Sequence, residues 1–232
     1  MPSRKPGTRG LKFMPALFAL LAATEVVAQE ACPEVAIDVS GATTRERLLV
    51  CTAAADAIRR LGLCEIAVRR RIRVEVADRV LHPSGRTVFG YFDPKREIVM
   101  LTRYENAATL AIDTPYGRLS HRDFYMSMVV HEITHAVMHQ NERRKGTSHS
   151  ALEYPAYALQ LASLSPKARD SLLSAIPGAE NIDSFLFNDI VLSFDPFLFA
   201  ARAYAHFAAR GNGCSRLTSL LDGDVDFIAT LP

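Results

Sequence analysis

Two periods of hydrophobicity run along this chain, and where each one holds sets the expected elements. Over residues 66–80, valine and isoleucine alternate with charged residues, as in Arg71-Ile72-Arg73-Val74-Glu75-Val76. That is the period of a half-buried strand. Residues 87–92 and 97–102 are two further apolar runs joined by Asp93-Pro94-Lys95-Arg96. Proline suits the first central position of a type I turn, so a hairpin is expected there. Elsewhere the spacing is helical. Thr43 or Thr44 can cap a helix reaching Leu61, with Leu48, Leu49, Thr52, Ala55 and Ile58 on its apolar side. Helices are also expected over residues 104–112, 120–145, 151–162, 166–175 and 182–192. Another is expected over 197–210, capped by Asp195-Pro196 with proline at its first position and Gly211 past its end, and a last turn or two over 217–221. The chain reads as α+β: a small antiparallel-edged sheet, a buried central helix and a mainly helical C-terminal part.

The central helix is the unusual one. Ser120 and Asp123 give it a cap and an acidic first turn; Arg143, Arg144 and Lys145 before Gly146 suggest a basic last turn and a terminating glycine. Phe124, Met128, Val129, Val130, Ile133 and Val137 leave it apolar almost all round, as in a buried helix. Yet it carries His131-Glu132-Ile133-Thr134-His135. At ~100° per residue, residues four apart project from one face, so both imidazoles can share one metal. Glu132 stands beside them, able to reach a water there without being a ligand. Burying two imidazoles and a carboxylate with neither metal nor solvated cleft is costly.

A two-histidine zinc site needs a third protein ligand. Glu153 lies on the next helix, which a short turn can fold back towards the histidines. Ser150-x-x-Glu153 is also a capping-box pattern that would use the same carboxylate on a backbone N–H. His149 and His139 are rival ligands. Tyr157, Tyr204 and His206 are candidates to stabilise a developing oxyanion; Tyr204 and His206 are ~200° apart on their helix, so at most one can face the cleft.

Arg4, Lys5, Arg9 and Lys12, an apolar run over residues 13–23, and Val26-Val27-Ala28 read as a signal peptide cleaved after Ala28. Residues 29–232 then form a single exported domain, periplasmic or secreted, with no membrane attachment once the signal is removed. Removing four basic residues and one acidic one leaves 23 Lys and Arg against 24 Asp and Glu, so the mature charge is about −1 and no nucleic-acid partner is expected. Arg69 to Arg73 fits a solvated sheet face better than a basic patch. Cys32, Cys51, Cys64 and Cys214 all lie in the mature part, and an even count in an exported chain predicts two disulfides of open connectivity.

His131-Glu132-x-x-His135 followed by Glu153-x-x-Ala156-Tyr157 resembles the gluzincin group of zinc metallopeptidases, and Phe89-Gly90-Tyr91-Phe92-Asp93 looks like the sheet edge along which zincins lay an extended substrate. The resemblance covers residues 88–160. It departs from metzincins, with Met138 and Asn141 in the places of their glycine and third histidine, and from thermolysin-like members, with Tyr157 where those have an aspartate. It implies a zincin-like fold, Zn²⁺ held by His131, His135 and Glu153, Glu132 as general base, and a peptide or protein substrate. The alternatives are a non-catalytic, zinc-stabilised binding module and a zinc amidase acting on a non-protein amide.

Overall fold

A computed structural model of the chain describes residues 30–143, 147–179, 187–209, 211–224 and 227. The expected signal peptide therefore lies outside the described residues. After β1 (Glu30–Ala31) and β2 (Ile37–Ser40), Thr43 caps α1 (Thr44–Gly62) in a reciprocal capping box with Glu46. The buried face of α1 is Leu49, Val50, Ala53, Ala54, Ala57 and Leu61, while Leu48 is 68% exposed. Of the face expected from Leu48, Leu49, Thr52, Ala55 and Ile58, Leu49 is buried and Ile58 packs against the core, while Leu48 and Thr52 are turned to solvent. Alanines at 53, 54 and 57 give a flat strip that lets another helix approach closely, and the packing follows that strip rather than the larger leucine.

Within the expected strand over 66–80, only Ile72–Ala77 pairs in the main sheet, as β3, with Ile72, Val74 and Val76 inward and Arg73 outward. β4 (Val80–Leu81) and β5 (Thr87–Val88) form a separate two-stranded ribbon. β6 (Gly90–Asp93) and β7 (Ile98–Thr102) form the expected hairpin, and the Asp93 side chain accepts from the backbone N–H groups of Lys95 and Arg96 in its turn. The main sheet has the order β1-β2-β3-β7-β6: β2, β3 and β7 run parallel, and the strand at each edge is antiparallel to its neighbour. Among the described residues, a buried parallel centre with an antiparallel hairpin at its rim leaves β6 paired on one side only.

α2 (Tyr104–Ala111) and a 3₁₀ turn (Pro115–Arg118) lead into α3 (His121–Asn141). α3 is capped by Ser120 as expected but stops four residues before Lys145. Glu142 turns extended, and the Asn141 amide donates to the carbonyls of Val137 and Ala67 while accepting from Arg69, which anchors the helix end to the segment before β3. Gly146 lies outside the described residues. α3 packs on α1 on one side, on α4 (His149–Ser163) on another, and against β6 and β7. α5 (Pro166–Leu173) follows. The helix expected over 182–192 lies partly outside the described residues; its described part starts only at Asp189, as α6 (Asp189–Phe194), with Asn188 as its cap. α7 (Pro196–Ala208) is capped by Asp195, with Pro196 at its first position, and packs on α4. α8 (Gly213–Asp222) is longer than the turn or two expected.

The four cysteines pair as Cys32–Cys51, tying the first strands to α1, and Cys64–Cys214, tying the end of α1 to the start of α8. Two disulfides fit folding in an oxidising compartment, hence an exported protein. Among the described residues no helix is long and apolar enough to cross a membrane.

Candidate metal centre

α3 turns His131 and Glu132 into the interior, 6% and 4% exposed, at the floor of a cleft of about 1040 Å³. The cleft is walled by the β5–β6 edge on one side and by α4 and the start of α7 on the other. Because α4 packs on α3, Glu153 meets both histidines: Oε2 is 3.3 Å from Nε2 of His131, Oε1 is 3.3 Å from Nε2 of His135, and the two Nε2 atoms are 3.1 Å apart. Glu153 is not a capping-box partner of Ser150. The cap of α4 is Ser148, which accepts from the N–H of Ala151, so Ser150 is already inside the helix and the carboxylate is left free for the cluster.

A residue that sequence reasoning missed sets the chemistry of His131. Gln160 is fully buried, and its Oε1 lies 3.0 Å from Nδ1 of His131 while its amide nitrogen lies 3.1 Å from the Met128 sulfur. An amide oxygen only accepts, so Nδ1 carries a proton there, and Nε2 is the ring nitrogen that faces the cluster. Gln160 is seven residues after Glu153, two turns along one helix face, and that spacing was the available signal.

The donor set fits a small divalent cation. Each of His131, His135 and Glu153 offers one ligand atom, all within 4.8 Å of one another. Tetrahedral bonds of ~2.0–2.1 Å, the length zinc makes to nitrogen, place neighbouring ligand atoms about 3.3–3.4 Å apart. Two separations, 3.1 Å between the Nε2 atoms and 3.3 Å from His131 to Oε2 of Glu153, are close to that edge, while His135 meets the other Glu153 oxygen. Charge agrees. Burial alone would raise the Glu153 carboxyl, but the His135 charge and hydrogen bonds from His131, His135 and His149 hold it well below the usual carboxylate range. His135 is raised: burial opposes the charged ring and the Glu153 carboxylate outweighs it. Glu153 therefore stays ionised between the histidines and offers a charged ligand oxygen.

Glu132 is treated differently. Burial pushes its carboxyl up, the two imidazoles and the Phe92 backbone N–H pull it down, and the net shift is upward. A carboxyl so placed beside a cleft has the features of a general base or acid.

Of the rival ligands, His149 sits 3.4 Å from Oε1 of Glu153 with 67% of its side chain exposed, one turn before it on α4. It steadies the carboxylate from the solvent side. His139 stands apart, against the Phe92 ring and within 4.0 Å of Glu97 and Glu142. Among the oxyanion candidates, Tyr157 lines the cleft with its ring 4.6 Å from that of His131. Tyr204 lies under the Arg169 guanidinium, and His206 is buried with its Nδ1 2.7 Å from the Tyr154 hydroxyl. Neither lines the cleft.

Comparison with curated proteins and with solved structures finds no match. Residues 37–230, a span that takes in every residue of this cluster, match the model of a family described as a family of unknown function, DUF6639, and the chain belongs to that family.

Proposed function

We propose that the chain is a zinc-dependent hydrolase of zincin-like fold, exported to the periplasm or secreted, whose reaction is cleavage of peptide bonds. The observation that carries this reading is the convergence of His131, His135 and Glu153, with one ligand atom from each within 4.8 Å of the others, and with Glu132 beside them at the floor of a cleft. The gluzincin-like spacing of the motif and of Glu153 supports it. A cleft walled by the free edge of β6 suits an extended peptide.

His131, His135 and Glu153 would hold the ion, with Gln160 fixing the His131 tautomer and His149 steadying Glu153. Zinc bound there would supply Lewis acidity, polarising the scissile carbonyl and acidifying a water molecule. Glu132 accepts a proton from the water that attacks the carbonyl carbon and delivers it to the leaving amine nitrogen. Tyr157 donates a hydrogen bond to the carbonyl oxygen as negative charge grows on it.

A peptide-library digest by the purified mature protein tests this reading, with zinc content measured on the same sample. The expected result is about one zinc per chain and cleavage that stops on chelation and returns with zinc. Zinc retention with no cleavage of any library member would favour a metal-stabilised binding module. Release of a product only from non-peptide amides would favour an amidase.

A further inference from the structure

Glycine inside a strand weakens it, through backbone entropy and the lack of a side chain to pack, and so marks either a special backbone angle or a close approach. Gly90, the first residue of β6, is not among the glycines with positive φ, so its backbone does not require glycine. Space does. A Cβ at position 90 would lie 2.7 Å from Cγ of Glu132, 2.9 Å from Oε1 and 3.0 Å from Cδ. The Glu132 carboxylate therefore rests directly on the Gly90 backbone.

The strand itself is held to the helix that carries Glu132. Gly90 pairs with Leu101, Thr102 donates its N–H to Phe89 and its hydroxyl to Val88, and the Phe89 ring packs edge-on against Phe124 of α3 with centroids 4.9 Å apart. Neither side of the contact has slack. α3 is buried between α1, α4 and the sheet, and β6 is tied to β7 and to α3.

We propose that Gly90 is a positioning residue for Glu132: the missing side chain forms the slot that fixes where the carboxylate stands above the metal cluster. The proposal rests on the reading of Glu132 as general base. A methyl group at position 90 pushes the carboxylate or the strand by a few tenths of an ångström or more, and displacement on the scale of 1 Å costs on the order of 10² in rate.

The test is Gly90→Ala made in three backgrounds: wild type, Glu132→Gln and Glu132→Ala. In wild type it should leave zinc content and KM close to unchanged and lower kcat by about 10- to 100-fold. In Glu132→Gln, where the base is already lost, it should lower the residual rate by no more than about 2-fold, a non-additivity that general weakening of the fold would not produce. In Glu132→Ala, where the opposing atoms are gone, the fall in Tm that Gly90→Ala causes in wild type should disappear. Wild-type kcat in Gly90→Ala, or an equal fall in the Glu132→Gln background, overturns the proposal. The Tm series separates the two ways to fail. A stability penalty that persists in Glu132→Ala refutes the slot itself, whereas a penalty that vanishes alongside a wild type that cleaves nothing refutes the enzymatic reading and with it the positioning role.

Discussion

Glu46 and Glu132 are carboxylates on two helices that pack against each other, 3% and 4% exposed, and their environments drive them in opposite directions. Burial would raise both. At Glu46 it is outweighed: the carboxylate accepts from the N–H of Thr43 at 2.8 Å, from the N–H of Tyr104 at 2.9 Å and from Arg103 at 3.0 Å, and its pKa falls below the ordinary value. Glu132 is enclosed more deeply, burial wins over the two imidazoles, and the pKa rises. Similar surface exposure therefore says nothing about role. A carboxylate saturated with donors is a structural joint, here linking the caps of α1 and α2, and one left short of donors beside a cleft is available to move a proton.

The largest effect expected is on the third carboxylate. Glu153→Ala removes both oxygens that face the histidines, so zinc content should fall far below one per chain and hydrolysis to background, as in His131→Ala or His135→Ala. Metal analysis after dialysis checks it. Full zinc affinity in Glu153→Ala together with its loss in His149→Ala would reassign the third ligand to His149.

Tyr157→Phe comes next. Removing one oxyanion donor should lower kcat by about 10², with KM and zinc content nearly unchanged. A shift confined to KM would make Tyr157 a binding residue.

The smallest effect separates the structural carboxylate from the others. Glu46→Gln should cost about 1–3 kcal/mol at neutral pH, the range for hydrogen bonds to a charged group, with zinc content intact. Since the folded pKa of Glu46 is depressed, its contribution is complete above the unfolded carboxylate pKa and is lost as pH falls through the lower folded value. The Tm gap between wild type and Glu46→Gln should accordingly be widest near neutrality and close below about pH 4. A gap that stayed constant with pH would mean that the charge of Glu46 contributes nothing.

Much of this was legible because it rests on local periodicity. The alternation through Ile72, Val74 and Val76, the hairpin around Asp93, the Ser120 and Asp195 caps, and the HExxH spacing on an all-round apolar helix are properties of short windows. What failed to show depends on contacts far apart in sequence. The buried face of α1 runs through Ala53, Ala54 and Ala57, so the period was right and its phase only in part. α3 ends where Asn141 finds Ala67 and Arg69, more than seventy residues earlier. Gln160 and Gly90 are ordinary in their own segments and gain meaning only against His131 and Glu132. The pairing of Cys64 with Cys214 spans 150 residues and has no local signature.

Glu132→Gln bears most directly on the proposed chemistry, with zinc content and peptide hydrolysis measured on the same sample. The amide keeps the shape of the side chain and its place over Gly90 but cannot accept a proton from water at neutral pH. Zinc content and Tm should match wild type while kcat falls by about 10²- to 10⁴-fold. Equal hydrolysis by wild type and the Gln variant at equal zinc content would contradict a general-base role for Glu132.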